Sequence, residues 1–490
     1  MKKSTLIKHH KWLGIILCPL LLMFCVSGIL LGHRQLISNV NVSRSVLPSR
    51  YEYHNWNGGL LRGTLPIDNA LAQRLSLSSD TGRQVLLYGN GGMWLTNATA
   101  SAFKDFNRGL PTGADQRQIL GVQQAAGCLY GVSRFALYRY DVHGSWHRLS
   151  LPLQADEQLA DISCHGDTLV VLSRSYAYIA LPPYNNFRRL QLPTPCNYEN
   201  STTAFRTVWL LHSGALFGTA GRLVADGIAI VLAVLCISGI VFWLRPKRKQ
   251  WLRFSFLLHR KAGRYTIALT MLIVLTGWCL RPPALIALVS SKVPIIPGTT
   301  LSSSNPWHDK LRMMRYDDNS HDWLLSTADG FYSINLTKHT VEHIATTPPV
   351  SVMGLNVLQS DADGKWWCGS FSGLYVWDRQ NNTITDYYTN KPAAKQTGAP
   401  FGKKPISGMS VDFSASSNGK CLSAPIIADY YAGTPLLSQP DDLCTLPMSL
   451  WQVALEAHSG RLFIGSIATY VFIFIAGLLA IWCLWTGYRI

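Results

Sequence analysis

The sequence predicts a membrane protein: a four-helix transmembrane bundle built from a duplicated two-helix unit, carrying all-β, propeller-like extracytoplasmic domains. Three observations lead there. Charged residues make up only 14% of the 490, against 48% hydrophobic residues; soluble domains carry about 25% charge. The excess of basic residues is concentrated beside long apolar runs. Two stretches of the chain also repeat each other's spacing of histidine and glycine. A mean hydropathy of only +0.12 leaves much of the chain polar and outside a bilayer.

Four apolar runs are candidate spans. Leu13–Gly32 has 20 residues without a charge, enough for about 30 Å of hydrocarbon as a helix. Gly227–Leu244 adds 18, and Leu462–Tyr488 adds 27, long enough to tilt. Tyr265–Leu280 has 16, flanked by Arg264 and Arg281, whose long side chains can snorkel. The first run lacks a small-x-small cleavage site and exceeds the apolar core of a signal peptide, so an uncleaved helix is expected.

The basic residues orient these spans. Lys2, Lys3, Lys8 and Lys11 precede the first, and Arg245, Lys247, Arg248, Lys249, Arg253, Arg260, Lys261 and Arg264 lie between the second and third. Neither segment holds an acid. With Arg489 also set aside, 31 bases face 27 acids, so the net charge of +17 is a topology signal. It excludes a nucleic-acid-binding surface. The expected layout is a cytoplasmic tail (1–12), a first helix (13–32), a β domain outside (34–211) and a second helix (212–244). A cytoplasmic basic loop (245–264), a third helix (265–281), a second outside β domain (282–457) and a fourth helix (458–488) follow. Both termini then face the cytoplasm, and the setting is a bacterial inner membrane.

The repeat is one of spacing. His10 precedes Gly14 by four residues and Gly28 by eighteen, and His259 stands in the same relation to Gly263 and Gly277. His212-Ser213-Gly214 matches His458-Ser459-Gly460. Both copies read helix, outside segment, helix, which makes a parallel repeat. The outside segments have a shorter period. Phrases such as Gly92-Met93-Trp94-Leu95, Ala136-Leu137-Tyr138-Arg139 and Tyr176-Ala177-Tyr178-Ile179 recur, and so do Gly330-Phe331-Tyr332-Ser333 and Gly373-Leu374-Tyr375-Val376. The spacings are 44 (Trp94 to Tyr138), 40 (Tyr138 to Tyr178) and 43 (Tyr332 to Tyr375) residues. Such periods suit four-stranded propeller blades; two β-sandwiches are the rival reading.

Histidines border the spans. His10 and His259 lie at one side of the bilayer, and His33, His212 and His458 at the other. Two layers of imidazoles from different helices are what two b-type haems in a bundle require. His10 with His259, and His212 with His458, are the expected iron ligands. Gly14 and Gly263 lie one turn from His10 and His259, where a flat macrocycle needs a helix without bulk. His33 has no counterpart in the second copy, where Pro282 stands; it is a candidate rival for the outer iron or a ligand-binding residue. No HExxH or CxxC occurs. Cys18, Cys25, Cys236, Cys279 and Cys483 fall in apolar runs, as small buried residues. Cys128, Cys164, Cys196, Cys368, Cys421 and Cys444 fall in the polar segments, where disulfides are possible on an oxidising side.

At His9-His10-Lys11-Trp12-Leu13-Gly14, Leu257-Leu258-His259-Arg260-Lys261-Ala262-Gly263, the Ser/Thr-Gly pairs at 27–28, 238–239 and 276–277, and the two His-Ser-Gly turns, the chain resembles the PepSY-associated transmembrane helix family. Gly239-Ile240-Val241-Phe242-Trp243-Leu244-Arg245-Pro246 resembles that family's exit from its second helix. The resemblance covers about 100 residues of helix and implies an inner-membrane, haem-containing reductase of iron–siderophore type. The outer domains depart from the family, with no PepSY module evident. No dinucleotide or nucleotide motif occurs, so electrons are expected from a membrane quinol or a separate donor protein, for a ferric iron or iron-chelate acceptor. The alternative function is a non-enzymatic membrane sensor or assembly protein, with a ligand-binding propeller outside.

Overall fold

The computed structural model describes residues 2–75, 77, 84–196, 198–244, 249–394, 402–413, 425–462 and 466–490. Arg245, Lys247, Arg248 and Cys421 lie outside the described residues. The chain divides into a helical unit (Met1–Ser38, Glu199–Ser303, Ser449–Ile490) and a β unit (Asn39–Tyr198, Ser304–Met448).

The helical unit contains α1 (Lys3–Gly32), α2 (Ala204–His212), α3 (Gly218–Leu244), α4 (Lys249–Cys279), α5 (Leu450–His458) and α6 (Ser466–Arg489). Four stretches are long and apolar enough to cross a membrane: Lys3–Gly32, Ala215–Leu244, Lys249–Cys279 and Ala468–Arg489. The protein is therefore a multi-pass membrane protein. Each of α1 and α4 packs against both α3 and α6, so the four long helices form a bundle with α1 and α4 on opposite corners.

The helix limits differ from the sequence expectation, and the reasons are local. The first helix begins at Lys3 rather than residue 13, and the third at Lys249 rather than 265. The basic residues of 249–264 thus lie on helix, not in a loop. Lys, Arg, Leu and Gln are good helix formers, and no proline interrupts this run. The second and fourth expected spans are each broken. A nine-residue helix ends at His212 and another at His458. Behind them Gly214 and Gly460 take φ of 71° and 74°, a left-handed conformation that ends a helix and favours glycine. Both short helices start alike: Thr203 Oγ1 accepts from the Arg206 N–H and Ser449 Oγ from the Gln452 N–H, at 3.2 Å each.

The β unit joins the two expected outside domains into one. Its first four-stranded sheet comprises Gly63–Ile67, Gln84–Gly89, Gly92–Asn97 and Phe103–Asp105. The second runs from Ile119–Ala125 to Trp146–Leu149, and the third from Leu159–His165 to Arg188–Leu190. The later segment supplies a fourth sheet, from Leu311–Asp317 to Thr340–His343, and a fifth, from Leu355–Ser360 to Lys391–Pro392. A sixth pairs Ile406–Ser410 with Ile426–Asp429. Each is an antiparallel meander in sequence order. The recurring aromatic phrases are the third strands of the first five sheets. Tight turns enforce this: Ala126 and Gly127 both have positive φ and join paired strands in a two-residue hairpin.

The sheets bury their faces against one another in order. Leu86 and Met93 pack with Ile119 and Trp146, Val132 with Ile162, and Val170 and Leu172 with Met314 and Leu325. Leu324 packs with Leu358 and Trp366, Leu374 with Ile406 and Met409, and Ile426 and Ala428 with Val85 and Leu87. The sixth sheet thus meets the first. In sheets two to six the opening strand carries a bulge after its first residue, at Leu120, Ala160, Arg312, Asn356 and Ser407. One buried ion cluster ties the fourth sheet to the fifth. Arg379 bonds Asp317 and, at 2.8 and 2.9 Å, Asp322, and Trp366 Nε1 donates to Asp317 at 3.1 Å. Truncating one partner of a buried pair strands the other charges. Arg379→Ala is therefore expected to destabilise the β unit by about 3–5 kcal/mol, read as an earlier loss of tryptophan fluorescence on heating.

Candidate functional site

The helical unit brings the four helix-end histidines together in two pairs. The ring centres of His10 and His259 are 5.9 Å apart, and those of His212 and His458 are 6.0 Å apart. Their sequence separations are 249 and 246 residues. On α1, His10 of one pair and Gly28, which faces the other, are eighteen residues apart, about 27 Å of helix.

Each ring is held by the same device. His10 Nδ1 lies 2.9 Å from the Cys483 carbonyl, His259 Nδ1 3.1 Å from Leu235, His212 Nδ1 3.0 Å from Ile273 and His458 Nδ1 3.2 Å from Phe24. A carbonyl only accepts, so every Nδ1 must carry the proton and donate. A neutral ring then has its lone pair on Nε2. Among the described residues, no Nε2 of the four has a hydrogen-bond partner. The four accepting carbonyls each stand four residues before a glycine and three before a serine or threonine: Ser27-Gly28, Ser238-Gly239, Thr276-Gly277 and Thr486-Gly487. Ser27 Oγ and Ser238 Oγ lie 3.0 Å from the His458 and His259 Nδ1 atoms, and Thr276 Oγ1 lies 3.3 Å from that of His212.

The glycines seat the rings. A Cβ built on Gly277 would stand 2.7 Å from the His212 Cε1, and one on Gly487 2.7 Å from the His10 Cε1. At Gly28 and Gly239 the distances to His458 and His259 are 3.2 and 3.6 Å. Gly14 and Gly263, the glycines expected to lie against a cofactor, do not adjoin these rings: a Cβ built on them would stand 3.8 Å from the Cys483 Sγ and 3.7 Å from a Leu235 methyl. Sequence reading noted three of the four Ser/Thr-Gly pairs and passed over Thr486-Gly487, whose role shows only once the Cys483 carbonyl is seen beside His10.

His33 joins neither pair. Its Nε2 lies 2.8 Å from an Asp226 carboxylate oxygen. Arg281 donates from Nη2 to the His458 carbonyl at 3.3 Å, putting a cation beside the second pair. His9 is exposed, its ring 6.3 Å from Trp482. The described residues include no cluster of three or more His, Cys, Asp or Glu that could hold a metal ion. Cys128, Cys164, Cys196, Cys368 and Cys444 form no disulfide among the described residues.

Residues 165–490 match the family model described as PepSY-associated TM region. The chain belongs to this family. The match spans both histidines of the second pair and three of the four helices that carry the Ser/Thr-Gly motif. No curated protein matches the chain. Solved structures with some likeness include the extracellular domains of two hybrid two-component systems of B. thetaiotaomicron. Both are 10% identical; they have TM-scores of 0.33 and 0.19, cover 71% of this chain and are themselves covered to 29% and 41%. The tricorn protease gives 9% identity and a TM-score of 0.18, covering 72% of this chain and 24% of its own. The chain thus spans less than half the length of each. A likeness this weak does not distinguish one β architecture from another.

Proposed function

We propose that this PepSY-associated membrane protein is a di-haem reductase of the bacterial inner membrane, with His10 and His259 holding one haem b and His212 and His458 the other. The observation that carries the reading is the two pairs of neighbouring imidazoles with all four Nδ1 atoms tied to backbone. Metal–imidazole bonds run about 2 Å, with the ring centre about 1 Å further, so two rings on opposite sides of one metal have centres about 6 Å apart. Both pairs have that separation. Two protein nitrogens per layer fall short of a bare zinc site and suit a metal whose remaining positions a macrocycle fills. Carbonyl-anchored Nδ1–H groups fix ring orientation and raise the basicity of Nε2.

Bound there, haem supplies one-electron transfer across the membrane, from a quinol or a separate donor protein to ferric iron or an iron chelate outside. The chain's own residues fix the tautomers, and Gly277 and Gly487 let two of the rings approach their helices. The equivalence of His10 with His259, His212 with His458, Ser27 with Thr276 and Ser238 with Thr486 supports a duplicated two-helix unit. The sheet-to-sheet contacts, returning from the sixth to the first, support a six-bladed propeller as the outer domain. The purified protein is expected to show a b-type spectrum on dithionite reduction, with two haems per chain. A colourless protein that takes up no haem sinks the reading and leaves a ligand-sensing propeller as the function.

The basic bias supports cytoplasmic termini. Reporter fusions after Lys249 are expected to read cytoplasmic, and those after Gly113 and Gly364 to read outside. An outside signal at Lys249 overturns the parallel repeat.

A further inference from the structure

The β unit carries a second polar constellation, built where the opening strands of its sheets approach one another. Arg62 immediately precedes the first strand of the first sheet, and its N–H donates to the Tyr88 carbonyl at 2.9 Å. Its side chain reaches the bulge of the second sheet, where Nε donates to the Leu120 carbonyl at 3.1 Å. That is its only side-chain hydrogen bond among the described residues, and no carboxylate there lies within salt-bridge distance of it. The Tyr88 hydroxyl folds back over the neighbouring Gly63, so close that a Cβ there would stand 2.5 Å from it. It too has no hydrogen-bond partner among the described residues. Arg315, from the fourth sheet, is within electrostatic reach of both Arg62 and Tyr88. Sheets one and four lie three steps apart in the contact order, so these groups converge from opposite sides.

The two guanidiniums are in different states of compensation. Arg315 forms a bidentate pair with Asp161, whose second bond is 3.1 Å long, and the same carboxylate accepts the Met314 N–H at 2.9 Å. Burial pulls Arg315 down, and Asp161 outweighs it, holding the group above its ordinary value. Arg62 has no such partner among the described residues, and burial lowers it, against a weaker upward pull from Tyr88 and Asp161. Asp412 accepts from Thr64 Oγ1 at 2.7 Å and acts on Tyr88. Among the described residues Arg62 is thus the guanidinium of the cluster that no carboxylate pairs directly, and its terminal N–H groups make no hydrogen bond there. Arg62 and Tyr88 are partly exposed, and neither the Arg62 terminal nitrogens nor the Tyr88 hydroxyl is among the fully buried unpartnered atoms of the described residues, which leaves these donors open to a small solute.

We infer that Arg62, Tyr88 and Arg315 form a binding site for a small carboxylate, seated on the free face of the Arg62 guanidinium with the Tyr88 hydroxyl donating to it. The planar fork of arginine matches a carboxylate with two parallel hydrogen bonds. One guanidinium without a paired carboxylate suits one carboxylate better than a doubly charged phosphate. This inference rests on the β unit alone and not on the haem reading.

Acetate and inorganic phosphate, titrated calorimetrically into the full chain in nanodiscs, test it. Saturable acetate binding, tighter than that of phosphate, is expected. Arg62→Gln should weaken it about 10- to 100-fold, the loss of a charged hydrogen-bond pair. Arg62→Lys, which keeps the charge but not the fork, should also lose at least about tenfold, and Tyr88→Phe less. The double variant His10→Ala/His259→Ala should bind acetate as the parent does, which separates this site from the haem pairs. No saturable acetate binding, a preference for phosphate, or unchanged affinity in folded Arg62→Gln and Arg62→Lys each overturns the proposal. So does a higher melting temperature in Arg62→Gln without any anion dependence, which would make the cluster a structural plug.

Discussion

Purified His458→Ala protein is expected to hold one haem per chain instead of two, and to have lost reduction of an external ferric chelate. His212→Ala should behave alike. The ring centres of His458 and His212 are 6.0 Å apart, and each ring is anchored through Nδ1 to another helix, so neither could take the other's place. Losing one imidazole would therefore remove half of the residues that would hold the haem and not a replaceable contact. The other layer is about 27 Å away along α1, and His10 and His259 share no partner with this pair. The remaining haem should stay reducible from the donor side. His10→Ala and His259→Ala should give the complementary loss, which separates a layered arrangement from a general loss of folding. His33→Ala should have the smaller effect, because its Nε2 already serves Asp226. Two haems retained in all four single variants would be incompatible with the pairing. A His33→Ala protein lacking the outer haem, beside a His212→Ala protein that keeps it, would make His33 the ligand.

The second large effect is expected at glycine. Gly277→Ala and Gly487→Ala put a methyl 2.7 Å from the Cε1 of His212 and His10, inside contact distance. The ring must move, and it is held at Nδ1 by the carbonyl, with Thr276 Oγ1 beside His212 and the Cys483 Sγ beside His10, so relief comes by breaking those contacts. Overpacking of this kind costs about 1–3 kcal/mol, concentrated on the groups that orient Nε2. Each variant should lose the haem of its own layer or hold it with a shifted spectrum. Gly28→Ala and Gly239→Ala, at 3.2 and 3.6 Å, should be milder in that order. Gly14→Ala and Gly263→Ala, at 3.8 and 3.7 Å, should leave haem content unchanged. Haem per chain, measured across the six variants, tests the order; a larger loss at Gly14 than at Gly487 would show that the glycines next to the histidines in sequence carry the cofactor.

Much of the helical unit could be read from residues close together in the chain. A bilayer span is a property of some twenty consecutive residues, so the four runs stand out in hydropathy alone. The exact limits did not, because helix propensity carries α1 and α4 well beyond their apolar stretches into basic sequence. The breaks behind His212 and His458 depend on left-handed glycines that an apolar window does not register. The histidine pairs were legible for a further reason: matched spacing in two copies singles out positions that one copy would leave ambiguous. Gly14 and Gly263 drew attention by the same logic, since one helical turn is a local relation.

By itself the sequence determined the membrane class, the four apolar spans, the strand-rich character of the two long segments and which histidines belong together. These follow from composition, periodicity and spacing, which are written along the chain. The tertiary structure alone decided which glycine meets which ring, that His33 turns to Asp226, and that Nδ1 rather than Nε2 is used on all four imidazoles. It also decided that six sheets from two distant segments form one unit, and that Arg62, among the described residues, lacks the carboxylate partner that Arg315 has. Each of these depends on residues tens to hundreds apart meeting in space. Side-chain packing and hydrogen-bond partners are properties of that meeting, and no local pattern encodes them.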